Sequence, residues 1–422
     1  MSNDRLPART LPLLYLGSAH LSLALAFLCA AWWPRSVAGF FYHSWLVGLV
    51  HLVTLGWITF SILGSIYIVA PLALRVELPA RRADYLAYAL ALIGLVGMVG
   101  HFWIQQFEGM AWSAVTIAGA ILYMTTRIAV SAQRARIHPG IKLHLTLACV
   151  NLWIAASMGL LIAFDKFAHF LPGFVLANVF AHAHLAALGW AAMMVVGVGY
   201  RLLPMTLPSK IPAGNSIYLN AALLEIGALG LFVTLLLRSR LAIVFALTFV
   251  GGLAVFLGQV VWMLGHRVSK PVGAPRIDFG LFHAAAAGIS LLTASAIGLS
   301  LLTRPESPEM LRAAAAYGVL GLVGFLAQIV VAMETTLLPM VSWFWAYAGS
   351  GYRVAPQSPR VMRDRSLQTI VFAAWTIGVP ALTMGMFWES PMLVAVGAWS
   401  LLVGVSIAAL DSIFVIVQAI RA

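Results

Sequence analysis

Twelve stretches of nearly unbroken apolar sequence leave this chain almost no room for a fold that water surrounds. They lie at about 11–33, 43–73, 84–104, 110–131, 140–164, 172–204, 215–237, 241–265, 278–302, 312–347, 367–388 and 391–419. Each reaches the roughly 20 residues that an α-helix needs to cross the hydrocarbon of a bilayer. Only 9% of the 422 residues are charged and 62% are hydrophobic, a balance that excludes a soluble globule. Hydrocarbon offers no partner to a peptide group, so each span must satisfy its backbone internally, as a helix does. The expectation is an all-α integral membrane protein with twelve transmembrane helices and a single membrane domain over residues 1–422.

The cations orient these spans. With loops assigned alternately to the two sides, the amino terminus, the even-numbered connections and the carboxyl terminus carry 19 of the 25 Lys and Arg. The dense clusters are Arg75/Arg81/Arg82, Arg134/Arg136/Lys142, Arg267/Lys270/Arg276 and Arg353/Arg360/Arg363/Arg365. The positive-inside rule then places both termini in the cytoplasm of a bacterial inner-membrane-type protein. The net charge of +12 therefore calls for no nucleic-acid partner and reads mainly as a topological signal facing anionic lipid headgroups. Arg5 and Arg9 could feed a signal-like first segment, but no convincing cleavage site follows, so span 1 is expected to be permanent. Cys29 and Cys149 lie inside spans without CxxC spacing and read as small buried apolar residues, neither disulfide nor thiolate metal site.

A repeat runs through the spans. His51-Leu52-x-x-Leu55-Gly56-Trp57, then Gly64, Tyr67 and Pro71, returns 133 residues later as His184-Leu185-x-x-Leu188-Gly189-Trp190, then Gly197, Tyr200 and Pro204. Tyr85-Leu86, Ala89-Leu90, Ile93-Gly94 and Gly97 match Tyr218-Leu219, Ala222-Leu223, Ile226-Gly227 and Gly230 at that same offset. Two separated stretches sharing one offset mark a duplicated four-helix unit. A fainter third copy has Leu337-Leu338-Pro339-Met340 for Leu202-Leu203-Pro204-Met205 and Gly324 in the glycine place, with Phe325 for tryptophan and Val319 for histidine. Three pseudo-equivalent four-helix arcs are expected, with repeats at about 11–131, 140–265 and 277–420.

Ionisable residues inside hydrocarbon are functional candidates, and histidine dominates here: His20, His51, His101, His144, His182, His184 and His283. For an isolated case such as His144 or His283 a helix-to-helix hydrogen bond is as good an account. His51 and His184 occupy equivalent positions in the outer half of their spans, which favours a ligand role. His182 and His184 are two residues apart on a helix, about 200° around it, and could serve different pockets. Zinc would want three or four close ligands. Haem iron takes one or two neutral imidazoles, and its flat apolar ring suits a slot smoothed by Gly56 and Gly189 and lined by Trp57 and Trp190. Tryptophan at such positions is as often plain core or interfacial anchor. Haem propionates would point to the outer surface, where Arg35, Arg238 or Arg240 could pair with them.

Twelve spans in three arcs, with histidines in the outer half of helices 2 and 6, resemble subunit I of the haem-copper oxidase superfamily. The string HAHLAALGW followed by GYRLLP resembles its cbb3-type and nitric-oxide-reductase-related branch. That likeness implies His51 as a low-spin haem ligand and His184 or His182 as a copper ligand; His20, from the intramembrane histidines, is a further metal candidate. It implies one or two b-type haems with copper as a second metal, a cytochrome c or quinol donor, and a small partner subunit. The adjacent histidine pair of the family's helix 7 and the two ligands of its helix 10 have no counterpart, so a standard dinuclear centre is not expected. The HL-x-x-LG string also resembles the NnrS family, twelve-span haem- and copper-containing proteins linked to nitric oxide stress. The reading is haem, held by His51 and by His184 or His182 between the first two arcs, for electron transfer or nitric oxide or dioxygen chemistry. A transporter or copper-handling protein is the rival from another class.

Away from the span ends, the carboxylates that stand out are Glu225, Glu334 and Asp411. Each could relay protons, meet a cation, or be a hydrogen-bonded structural group. Glu334, one turn before Pro339, is the first choice for a proton relay, and Glu225 the second.

Overall fold

The computed structural model describes residues 6–212, 214–268, 278–353, 358–359 and 362–421. Arg5, Lys270, Arg276 and Arg360 of the charge pattern lie outside them. Twelve helices are long and apolar enough to cross a membrane: α1 (Thr10–Trp32), α2 (Ser44–Leu74), α3 (Arg82–Trp103), α4 (Phe107–Arg134), α5 (Pro139–Ala168), α6 (Val175–Thr206), α7 (Ser216–Leu236), α8 (Ala242–Gly265), α9 (Phe279–Thr303), α10 (Pro308–Gly349), α11 (Arg365–Phe387) and α12 (Pro391–Gln418). The protein is thus a multi-pass membrane protein in a lipid bilayer. Every boundary falls within four residues of its expected position.

Caps start several of these helices by giving first-turn amides an acceptor. The Leu281 amide donates to Asp278 before α9, and Met310 to Ser307 Oγ before α10 with Pro308 in the first turn. The Ser366 and Leu367 amides both donate to Asp364 Oδ1 before α11. At α3, Asp84 accepts the Arg81 amide while fully buried, and also holds the Arg127 guanidinium and, at 2.9 Å, the Tyr123 hydroxyl. This pair on α3 and α4 was not among the carboxylates read from the sequence. Its clue is an acid in the first turn of a span, three residues after Arg81.

Helices α2, α6 and α10 each change their winding in the same register, and α2 does so again at Ala70–Leu74. A π-helical segment of eight residues covers Leu52–Thr59, Leu185–Ala192 and Leu320–Ala327, beginning one residue after His51, His184 and Val319. π-helix is rare, and where it occurs it is often at functional positions. Wider turns also leave carbonyls in need of donors from elsewhere, and two such donors are side chains. Trp57 Nε1 donates to the Ala327 carbonyl at 3.2 Å, and Asn151 Nδ2 to that of Gly189 at 3.2 Å.

The contacts divide the chain into two compact units, Met1–Ile68 with Gly273–Ala422, and Val69–Val272. One boundary falls between α8 and α9, the other inside α2. In the first unit α12 packs along both α11 and α1, and α9 along α10. Its amino-terminal segment is fastened to α10, because Arg9 donates to the Trp345 carbonyl and the Trp345 indole donates back to that of Pro7. In the second unit α3 pairs with α4 and α7 with α8, while α5 packs against α6. Cys29 and Cys149 are buried and unbridged, as expected.

Candidate functional site

In the first unit, His51 ends the opening α-helical stretch of α2 and is partly buried. Its Nδ1 lies 2.8 Å from the Val47 carbonyl, one turn back. A carbonyl can only accept, so Nδ1 carries the proton and Nε2 the lone pair. That is the tautomer an imidazole needs to ligate a metal through Nε2, with a backbone acceptor fixing its orientation.

Below it, Trp57 is buried within the π segment and meets the His20 ring edge-on, centroids 5.0 Å apart. His20 holds the Leu16 carbonyl through Nδ1 at 3.0 Å, and its Nε2 stands 3.3 Å from Glu334 Oε2. His20 and Glu334 are both buried, and their contact is an ion-pair distance rather than an aligned hydrogen bond. With Nδ1 committed to a carbonyl, this pair shares one labile proton, held on Nε2 or on the carboxyl.

The Glu334 backbone belongs to a second cluster. Pro339 sits inside α10 and brings no N–H, so the Thr335 carbonyl four residues earlier loses its helical donor. Arg363 supplies one: Nε donates to Thr335 at 3.2 Å, Nη2 to the Glu334 carbonyl at 2.7 Å, and Nη1 meets Asp411 Oδ2 at 2.6 Å. Arg363 therefore departs from the headgroup-facing role expected of its cluster, since its side chain is 7% exposed. Asp411 has met a cation, one of the roles open to it. A cavity of about 20 Å³, room for about one water, opens among Glu334, Arg363, Asp411 and His283.

In the second unit, His184 repeats the His51 arrangement: partly buried, Nδ1 2.7 Å from the Phe180 carbonyl, and a π segment immediately after it. His182 turns elsewhere. Its Nδ1 reaches the Ala155 carbonyl of α5 at 2.9 Å, and its ring lies where a side chain on Gly159 would stand. The two histidines thus serve different neighbours, as their spacing requires. Asn151 ties Glu225 to the π segment, donating 2.8 Å to Glu225 Oε2 as well as to Gly189. Trp190 is buried in this segment, and Gly56 in the corresponding one.

The isolated histidines bridge helices. His144 is fully buried and bonds the Gly140 carbonyl through Nδ1 and the Asn220 amide of α7 through Nε2. His283 meets Gln328 of α10 at 3.3 Å. Arg238, in the connection between α7 and α8, lies over the ring of Phe174 at 5.2 Å. Among the described residues no group of three His, Cys, Asp or Glu converges as a metal-ion cage. Iron in a porphyrin takes only one or two protein ligands, so haem requires no such cage. Compared with known protein families and with curated proteins, the sequence matches none.

Proposed function

We propose that the protein binds b-type haem in a bacterial inner membrane, with His51 in the first unit and His184 in the second each an iron ligand, and that it serves electron transfer or the chemistry of nitric oxide or dioxygen. The observation that carries this reading is shared by both residues. Each imidazole is set by the carbonyl one turn earlier so that Nε2 is the coordinating nitrogen, and each stands at the first residue before a π-helical segment. The donor set fits: neutral imidazoles, partly buried, in apolar helices. Bound haem would supply an iron centre that accepts and passes electrons or binds a diatomic gas. The protein's own residues hold the proton on Nδ1, through Val47 and Phe180. The three π segments in one register support an architecture of three pseudo-equivalent arcs like those of haem-copper oxidase subunit I. Cytoplasmic termini, a cytochrome c or quinol donor, and a small partner subunit belong to the same reading.

The test is an absorption spectrum of protein purified from haem-replete cells, oxidised and dithionite-reduced, with and without carbon monoxide. A Soret band is expected, lost or shifted in His51→Ala and in His184→Ala but retained in His101→Ala, whose ring is bonded to Gly97 and Ser113. A colourless protein, or a band indifferent to both ligand variants, overturns the reading. Copper without haem in that preparation would favour the NnrS-like or copper-handling alternative.

A further inference from the structure

The second unit contains a cavity that the haem reading leaves unused. It measures about 220 Å³ and is lined by Arg75, Arg136, Ile137, His138, Ile141, Arg201 and Ile211. Three guanidinium groups and an imidazole face one space, and none of the seven lining residues is acidic. We propose that this cavity binds a phosphate group, carried by an anionic phospholipid headgroup or by a soluble phosphate ester.

Arg201 and His138 are aimed by the fold. Arg201, near the inner end of α6 and half-buried, is anchored by Nε to the Ala73 carbonyl at 2.6 Å. That carbonyl belongs to the last turn of α2, and two residues later Arg75 caps the helix with φ 56°, a conformation that residues other than glycine seldom adopt. The anchor therefore brings Arg201 beside Arg75 across one turn, with no carboxylate to separate them: among the described residues none of the three arginines stands in an ion pair. His138 completes the set. Its Nδ1 accepts the Gly140 amide at 3.1 Å, which puts the ring proton on Nε2 and makes that nitrogen a donor. It also caps the amino terminus of the 30-residue α5, where the helix dipole favours negative charge.

Like charges gathered in this way repel until an anion joins them. The forked geometry of guanidinium selects an oxyanion with several acceptor oxygens rather than a halide. The space is about ten times that of the single-water cavity beside Glu334, enough for a phosphate with a substituent. Three isoleucines form the rest of the wall, which suits the glycerol and first acyl carbons of a lipid. The site lies at the end of the helices where the basic connections gather, the side on which anionic headgroups attract cations.

Two binding arms test this on the full-length protein. In the first, protein in mixed micelles is titrated with phosphatidylglycerol, with phosphatidylcholine as the neutral comparison, and retained lipid is read by native mass spectrometry. In the second, inorganic phosphate is followed by equilibrium dialysis against chloride. The variants are Arg75→Gln and Arg136→Gln, both exposed side chains, and the controls are Arg82→Gln and Arg134→Gln, exposed cations outside the lining. Saturable binding in either arm, weakened about tenfold by each cavity variant and less than about twofold by the controls, supports the site, and the arm in which it appears names the source. Equal loss in cavity and control variants means diffuse attraction and overturns it, as does absence of saturable binding in both arms.

Discussion

The His20–Glu334 pair shows how a single proton can decide the cost of a substitution. Nδ1 of His20 is held by Leu16, so the contact at Glu334 Oε2 is either imidazolium with carboxylate or neutral imidazole with carboxylic acid. Both side chains are buried, and removing one partner strands the other in a medium that cannot solvate it. His20→Ala is expected to destabilise the protein by about 3 kcal/mol. Replacing both, as in His20→Ala with Glu334→Leu, should recover a large part of that loss, giving a coupling of about 1–3 kcal/mol in a double-mutant cycle. Thermal denaturation in detergent measures it, and additive losses would show that the two groups do not interact. At this scale the sequence was only half legible. It marked Glu334 and Asp411 as buried acids but could not name their partners, because His20 lies 314 residues from Glu334 in the chain and Arg363 read as one of a run of headgroup-facing cations. Charge alone does not distinguish a cation that enters the bundle from its neighbours. The Pro339 gap that Arg363 fills becomes visible only when the chain is folded.

Helices were more legible than their winding. An apolar run of sufficient length forces a span whatever its details, hence the close agreement of all twelve boundaries. The π segments left no compositional mark, since an α-turn and a π-turn bury the same leucines and alanines. What the sequence did carry was their address, because the repeated His-Leu-x-x-Leu-Gly-Trp string coincides with the segments at His51 and His184. The same repeat also carries close packing. A Cβ on Gly64 would stand 2.9 Å from Tyr15 Cβ on α1, and one on Gly197 2.7 Å from His144 Cβ on α5, so equivalent glycines admit the preceding span in both copies. Gly64→Ala and Gly197→Ala should each cost about 1–3 kcal/mol through overpacking. Gly100→Ala, on α3 with nothing within 4 Å of the new carbon, should be neutral or stabilise by up to about 1 kcal/mol. Melting temperatures of the three variants decide this, and a loss at Gly100 as large as the other two would show that close approach does not set the scale.

For the whole molecule the decisive question is which way the spans run, because it fixes the side to which every loop-borne group faces. The uneven distribution of Lys and Arg argues for cytoplasmic termini, with the connection between α2 and α3 inside and that between α3 and α4 outside. The native cysteines make this easy to test, since Cys29 is 6% and Cys149 0% exposed and neither should react with a membrane-impermeant maleimide. A cysteine placed by Glu108→Cys, at the exposed start of α4, should then label in intact cells stripped of their outer barrier. One placed by Glu77→Cys, exposed between α2 and α3, should label only after the inner membrane is opened. The reverse pattern would put the termini outside. It would also turn the arginine cavity of the second unit, formed in part by Arg75 next to that same connection, away from the cytoplasmic leaflet where anionic lipid is attracted to cations. A phosphate site there would then have to draw its ligand from the opposite leaflet. Orientation and ligand source are therefore linked, and the labelling pattern at two positions constrains both.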